Sequence, residues 1–199
     1  MANTTGKIVA IYGNMVTANI NDVVKQNAVA YCCKSRDGIK LKSEVIRLRG
    51  DLVDMQVFES TRGLQVGDTV EITQDLLVVT VGPGILGQIY DGLQNPLPQL
   101  AEMCGFFLKA GVYANSLDEE KKWDFTPTLK PGDKVLGGDS IGWVPEGIFK
   151  HKILVPPSFD GVWEIVEITP AGSYNINHAM ATLKNEEGYS TSISMCFRW

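Results

Sequence analysis

The sequence predicts a mainly β protein, with a small closed barrel at the N-terminus and a second β-rich block after it. Glycine (20 residues) and proline (9) accompany abundant Val, Ile and Thr in a chain of 199, the composition of short strands joined by turns. From Gly6 to Thr73, β-type runs recur about every ten residues with turn chemistry between them. From Trp123 onward, glycine-centred turns again punctuate apolar runs.

The first block reads as KIVAIYG, MVTANI and NAVAYCCKS, a turn at Arg36-Asp37-Gly38, then IKLKSEVIRLR. Asp37-Gly38 is strong hairpin chemistry. After Gly50-Asp51, Val53, Met55 and Val57 take one face of a strand, with Asp54 and Gln56 on the other. Gly63-Leu64 and Val66-Gly67-Asp68 then turn the chain into Thr69–Thr73. Six short strands in so little chain suggest a closed barrel, because closure removes exposed edges.

The middle stretch, Leu76 to Leu97, changes character. Leu76–Val81 is a continuous apolar run that suits a buried strand, and Gly82-Pro83-Gly84 follows it. Ile85, Leu86, Ile89 and Leu93 then recur at helical spacing, closed by Gly92 and Asn95-Pro96. Gly82 to Gly87 also spells G-x-G-x-x-G, the dinucleotide fingerprint. Pro83 removes a backbone donor there, and no second strand with an acidic end follows at βαβ distance, so a tight turn that needs glycine is preferred. A helix-like region extends to about Ala110, and the polar Ala114–Lys122 forms a surface loop or boundary. In the second block, turns at Pro131-Gly132-Asp133, Gly137-Gly138-Asp139 and Pro170-Ala171-Gly172 separate strand-like runs, and the last run alternates from Tyr189 to Phe197.

Several function classes find little support. A net charge of −5, with Arg47, Arg49 and Arg62 interleaved among acids, gives no nucleic-acid footprint. No run reaches the roughly 18 apolar residues of a membrane helix, and MANTTGK lacks a signal-peptide core, so the expected location is cytoplasmic, without direct membrane insertion. Cys32, Cys33, Cys104 and Cys196 form no C-x-x-C pair, and His151 and His178 have no partner at ligand spacing, so no metal site is expected. A phosphate-cradling G-x-x-x-x-G-K-[ST] loop and a G-x-S-x-G elbow are both missing. Asp68, Asp133 and Asp139 each follow a glycine, which is turn chemistry rather than catalysis. Gly138–Val144 resembles the turn of barrel-sandwich biotinyl or lipoyl carriers, with Lys150 or Lys152 as the lysine to be modified, although neither lies at a hairpin tip flanked by small residues.

Four runs converge on one family: SEVIRLRGDLVDMQVFESTRGLQVGDTV (Ser43 to Val70), VGPGILGQIYDGLQNPL (Val81 to Leu97), KPGDKVLGGDSIGWVPEG with HKILVPP (Lys130 to Pro157), and Pro170–Tyr174. The chain resembles the catalytic A subunit of V-type and archaeal-type rotary ATPases, over nearly its whole length and in the family's order. Glu44, Ile46, Gly50, Gln56, Val57, Glu59, Gly63, Leu64 and Gly67 match the barrel motif. Gly82, Gly84, Leu86, Gly87, Asp91, Gly92 and Pro96 match the strand-turn-helix leading into the nucleotide-binding domain. Gly137, Gly138, Asp139, Val144, His151, Lys152, Pro156 and Pro157 match the subunit-specific insertion, and Trp199 the re-entry point.

The resemblance implies four segments: 1–75, the barrel; 76–110, the first part of an incomplete α/β nucleotide-binding domain; 111–188, a β-rich, barrel-sandwich-like insertion; and 189–199, a strand re-entering the nucleotide domain. It implies an N-terminal fragment ending before the phosphate-binding loop, inactive alone, with no catalytic, cofactor or metal residues of its own; ATP and Mg belong to the full-length parent. Gly82, Pro83, Gly84 and Gly87 are the expected structural turn into the nucleotide domain. Expected partners are B subunits of the ring and peripheral-stalk subunits, in a complex attached to the membrane that moves protons or sodium ions. The competing readings are a stand-alone carrier module and a nucleotide-binding oxidoreductase resting on Gly82–Gly87.

Overall fold

The alternating N-terminal runs become β1 (Thr4–Tyr12), β2 (Met15–Asn19), β3 (Ala28–Cys33), β4 (Lys40–Arg49), β5 (Leu52–Val57) and β6 (Thr69–Leu76) in a computed structural model that describes residues 4–199. The predicted barrel domain begins at Met1, and Met1–Asn3 lie outside the described residues. All six strands pair antiparallel in the order β1-β2-β5-β4-β3-β6, and β6 returns to β1 to close the barrel. Register shifts at Ile8/Ala10, Ala28/Ala30 and Val45/Arg47 supply the bends that closure demands.

The lumen is filled by Ile8, Val16, Ala18, Ala30, Leu41, Val45, Met55, Val70 and Ile72. Gly6 lets β1 approach β2 closely, since a Cβ there would meet the Asn19 carbonyl oxygen at 2.5 Å. On β5, Val53, Met55 and Val57 face inward as the alternation predicts, yet Asp54 is also buried. Its carboxylate accepts hydrogen bonds from Arg49 at 2.8 Å and Thr17 at 2.7 Å. The Arg49 bond holds the Asp54 carboxyl below the ordinary range against the opposing effect of burial, and the Thr17 bond adds to it. Lys40 likewise pairs with Glu71 at 2.7 Å and lowers it. Burial pushes the Cys32 thiol up to about 11.

Compactness divides the chain into two units: residues up to Val78 with Leu100–Tyr113, and Val79–Gln99 with Ala114–Trp199. In the first unit, the Tyr113 hydroxyl accepts from the Lys42 backbone N–H at 2.7 Å, and Glu59 accepts from the Gly111 N–H at 2.9 Å. The predicted buried strand across Leu76–Val81 is interrupted: β6 ends at Leu76, Leu77–Val79 are partly exposed and outside any strand, and β7 is only Thr80–Val81. The predicted helix through Ile85, Leu86, Ile89 and Leu93 is not formed. Gly84, Gly87 and Gln94 all take left-handed backbone conformations (φ 103°, 77° and 61°), which an α-helix cannot contain, and Leu86 and Ile89 are exposed. The helix comes later, as α1 (Leu97–Cys104), and Gly105 at φ 73° ends it well before Ala110.

The second unit is a pair of four-stranded sheets. Its strands are β8 (Lys122–Pro127), β9 (Lys134–Val135), β10 (Ser140–Glu146), β11 (Phe149–Leu154), β12 (Trp163–Ile168), β13 (Gly172–Asn175), β14 (Ala181–Asn185) and β15 (Ser190–Ile193). One sheet runs β11-β10-β8-β13, the other β15-β14-β12-β9. Trp123, Phe125, Ile141, Trp163, Ile165, Met180 and Leu183 fill the core of this unit. Gly142 is required where β10 pairs with β8, because a Cβ would run into the Phe125 ring. The predicted strand from Tyr189 to Phe197 stops at Ile193 and resumes as β16 (Phe197–Arg198), which pairs with β7. Val79 and Trp199 extend that ladder with two reciprocal backbone hydrogen bonds.

Candidate functional site

Of the residues singled out by sequence, His151 is brought to the turn at Gly82–Gly87, where one carboxylate organises the backbone. Glu146 ends β10 with its side chain almost fully buried, and its Oε1 accepts from the Gly84 N–H at 2.8 Å and the Leu86 N–H at 3.2 Å. Its Oε2 lies 2.5 Å from His151 Nδ1, and the imidazole N–H donates. His151 is thus tied to structure, on β11 opposite Val144. Burial, and secondly the negative charge of Glu146, raise the nearby Tyr90 phenol, whose hydroxyl donates to the Ser116 carbonyl at 2.9 Å.

Each glycine of the turn has its own reason. A Cβ on Gly82 would meet the Cys196 Cβ at 2.8 Å, whereas Gly84 and Gly87 need positive φ. Pro83 has no N–H, and Glu146 already occupies the donors of Gly84 and Leu86, so the backbone groups that a pyrophosphate would need at a dinucleotide fingerprint are taken.

Downstream, side chains act as backbone. Gln94 donates to the Thr80 carbonyl at 2.6 Å and accepts from the Thr80 N–H at 2.7 Å, mimicking a strand neighbour of β7. Asp91 accepts from the N–H groups of Leu93 and Asn95 and from the Asn95 amide, while Asn95 Oδ1 accepts from the Ala114 N–H. Sequence reading missed Glu146 and Gln94. The local cue for this irregular stretch was the turn-rich run Asp-Gly-Leu-Gln-Asn-Pro at 91–96.

The remaining candidates find other work. Asp68, Asp133 and Asp139 each accept from the N–H three residues earlier (Gln65, Lys130 and Leu136), one turn device used three times. Asp68 also accepts from the Ser35 N–H, and although burial opposes its charge, these hydrogen bonds together lower its carboxyl. Lys150 and Lys152 lie within β11, and the Lys150 ammonium sits 4.4 Å above the centre of the Trp143 ring instead of projecting from a hairpin tip. Among the described residues, no group of three or more His, Cys, Asp or Glu is placed to hold a metal, and no helix is long and apolar enough to cross a membrane.

A closed antiparallel barrel and, after it in the chain, a two-sheet β unit agree with the family matches. Residues 3–74 match the β-barrel domain of the ATP synthase alpha/beta family, and residues 114–199 match the ATP synthase alpha/beta subunit barrel-sandwich domain. The chain belongs to the ATP synthase alpha/beta family. It is 47% identical to the V-type ATP synthase alpha chain of Treponema denticola over 199 residues, which are 100% of this chain and 33% of that one. To the V-type ATP synthase alpha chain of Borreliella burgdorferi strain B31 it is 48% identical over 197 residues, 99% of this chain and 34% of that one. It is also 46% identical to V-type ATP synthase alpha chain 1 of Treponema pallidum over 199 residues, 100% of this chain and 33% of that one. The chain thus spans about a third of the length of the curated relatives it matches.

Proposed function

We propose that this chain is the assembly and connecting portion of the catalytic A subunit of a V-type, ion-translocating rotary ATPase. In this reading the barrel joins neighbouring B subunits in a ring, the sandwich is an insertion that contacts peripheral-stalk subunits, and the complex sits on the cytoplasmic face of a membrane. The turn at Gly82, Pro83, Gly84 and Gly87 leads the chain into the nucleotide-binding domain. ATP and Mg would be held by residues of the parent subunit outside this chain.

The observation that carries the reading is the β7–β16 ladder. Thr80–Val81, near the start of the second unit, and Phe197–Arg198, near residue 199, are antiparallel partners. The two sheets of residues 114–193 lie between these paired strands, as expected of an insertion into another domain's strands. Catalysis of phosphoryl transfer depends on groups that position and neutralise the phosphates, so the chain by itself should not turn over ATP.

The test is the coding sequence after the Trp199 codon together with co-expression. An in-frame G-x-x-x-x-G-K-[ST] and co-purification of the full-length product with a B subunit are expected. A stop codon at that point, or ATP hydrolysis by the 199-residue chain alone, would sink the proposal.

A further inference from the structure

A cavity lies in the sandwich unit, between the loop preceding β12 and the tip of the β14–β15 hairpin, with a volume of about 520 Å³. Three aromatic rings line it. Phe159 and Trp163 are 4.8 Å apart between centroids and tilted by 40°, and Tyr189 stands nearly perpendicular to Trp163 at 6.2 Å and 75°. Trp163 is buried, whereas Tyr189 is 62% exposed. Three carboxylates, Asp160, Glu186 and Glu187, share the lining, and among the described residues none of them has an ion-pair partner.

The cavity is held open in advance. The Trp163 indole N–H donates to the Asp160 carbonyl at 3.0 Å, which pins the loop. The hairpin tip is closed by the Asn185 N–H to the Tyr189 carbonyl, the Gly188 N–H to the Asn185 carbonyl, and the Tyr189 N–H to Asn185 Oδ1. These bonds use only backbone groups and the Asn185 amide, so they leave the carboxylates of Glu186 and Glu187 unengaged, and the Tyr189 ring, although it meets Trp163, remains largely exposed. A fixed acidic rim over aromatic walls is complementary to one class of group, a planar cation. A guanidinium can stack on a tyrosine face while its N–H fork meets carboxylates, and an ammonium offers no planar face for that. Little ordering is left to be done on binding.

We propose that this cavity receives an arginine side chain of a partner polypeptide. The proposal stands on the cavity alone and does not depend on the reading of the parent subunit.

The test is a titration of the isotope-labelled 199-residue chain with a short glycine-flanked arginine peptide, following the Trp163 indole and Tyr189 amide resonances. Saturable shifts are expected that weaken several-fold as salt rises from about 0.02 to 0.2 M. Affinity should fall in the order arginine, lysine, glutamine, and should drop about ten-fold in Tyr189→Ala and in the Glu186→Gln, Glu187→Gln double variant. All altered side chains are exposed, and unchanged resonances elsewhere would confirm that the variants fold. The proposal is overturned if the arginine peptide gives no saturable shift up to about 10 mM, a range that spans weak millimolar binding. It is equally overturned if the glutamine peptide binds as well, if the variants bind unchanged, or if the same resonances move with protein concentration alone, which would put a second copy of the chain in the cavity.

Discussion

The barrel and the sandwich solve the same problem, closing β-strands over a core, with different materials. The buried cluster of the barrel contains no aromatic residue: it is built of Ala, Val, Ile, Leu, Met and one Cys. The sandwich cluster carries Trp123, Phe125 and Trp163. Six strands enclose a lumen too narrow for large rings, whereas two facing sheets leave a layer about 10 Å thick that rings fill well. Polar groups divide in the same way. The barrel places its ion pairs across strands, at Arg49–Asp54 and Lys40–Glu71, and the sandwich unit buries Glu146 to hold an irregular turn. Where the strands are regular, backbone bonds suffice and charges tune the surface; where the chain is irregular, a side chain must replace the missing backbone partner.

The contrast is breakable. The largest effect is expected for Phe125→Ala, which removes a fully buried ring from the sandwich and should cost about 4 kcal/mol in denaturant unfolding. Its counterpart in the barrel, Ile72→Val, deletes one buried methylene and should cost only about 1 kcal/mol. Equal losses would show that core material does not distinguish the two units. Next comes Glu146→Ala, which leaves the N–H groups of Gly84 and Leu86 without their acceptor and should destabilise by about 3 kcal/mol. Amide exchange at those two residues should accelerate first, whereas exchange accelerating first in the barrel would contradict the latch.

Acid should weaken the barrel. Asp54, Asp68 and Glu71 all have carboxyls lowered in the folded state, so their contribution is complete above the unfolded value of about 4 and is lost as pH falls through the lower folded values. Melting of β1–β6 followed from pH 6 down to about 2 should show this loss, and Asp54→Asn should flatten part of it. The smallest expected effect is chemical: burial raises the Cys32 thiol to about 11, so alkylation at pH 8 should be far slower than for a free peptide thiol. Rapid labelling would mean that the barrel opens readily.

What the sequence made legible follows the same division. The six barrel strands and the inward set Val53, Met55 and Val57 were readable because alternation and hairpin chemistry are local. Asp54 was placed on the outer face but is buried, since its partners Thr17 and Arg49 come together only when the strands pair. The stretch from Ile85 to Leu93 misled for a related reason. Its apolar spacing was helical, but its backbone is set by Glu146, some sixty residues away in sequence, and by Gln94 bonding Thr80. The identity of the family was legible from its sequence runs, while the acidic aromatic cavity was not, because Tyr189 reaches Trp163 only through the β12–β14–β15 pairing.

The pairing of β7 with β16 has a topological consequence. Because the first and last strands of the excursion are hydrogen-bonded neighbours, about 4.8 Å apart, the stretch between them closes on itself as a hairpin loop does, however long it is. The entropy of closing a loop grows only with the logarithm of its length, so a connection this long costs the β7–β16 pairing only modestly more than a short loop would. Turns exposed at the far ends of the two sheets, such as residues 186–188, can therefore change length without disturbing the β7–β16 register.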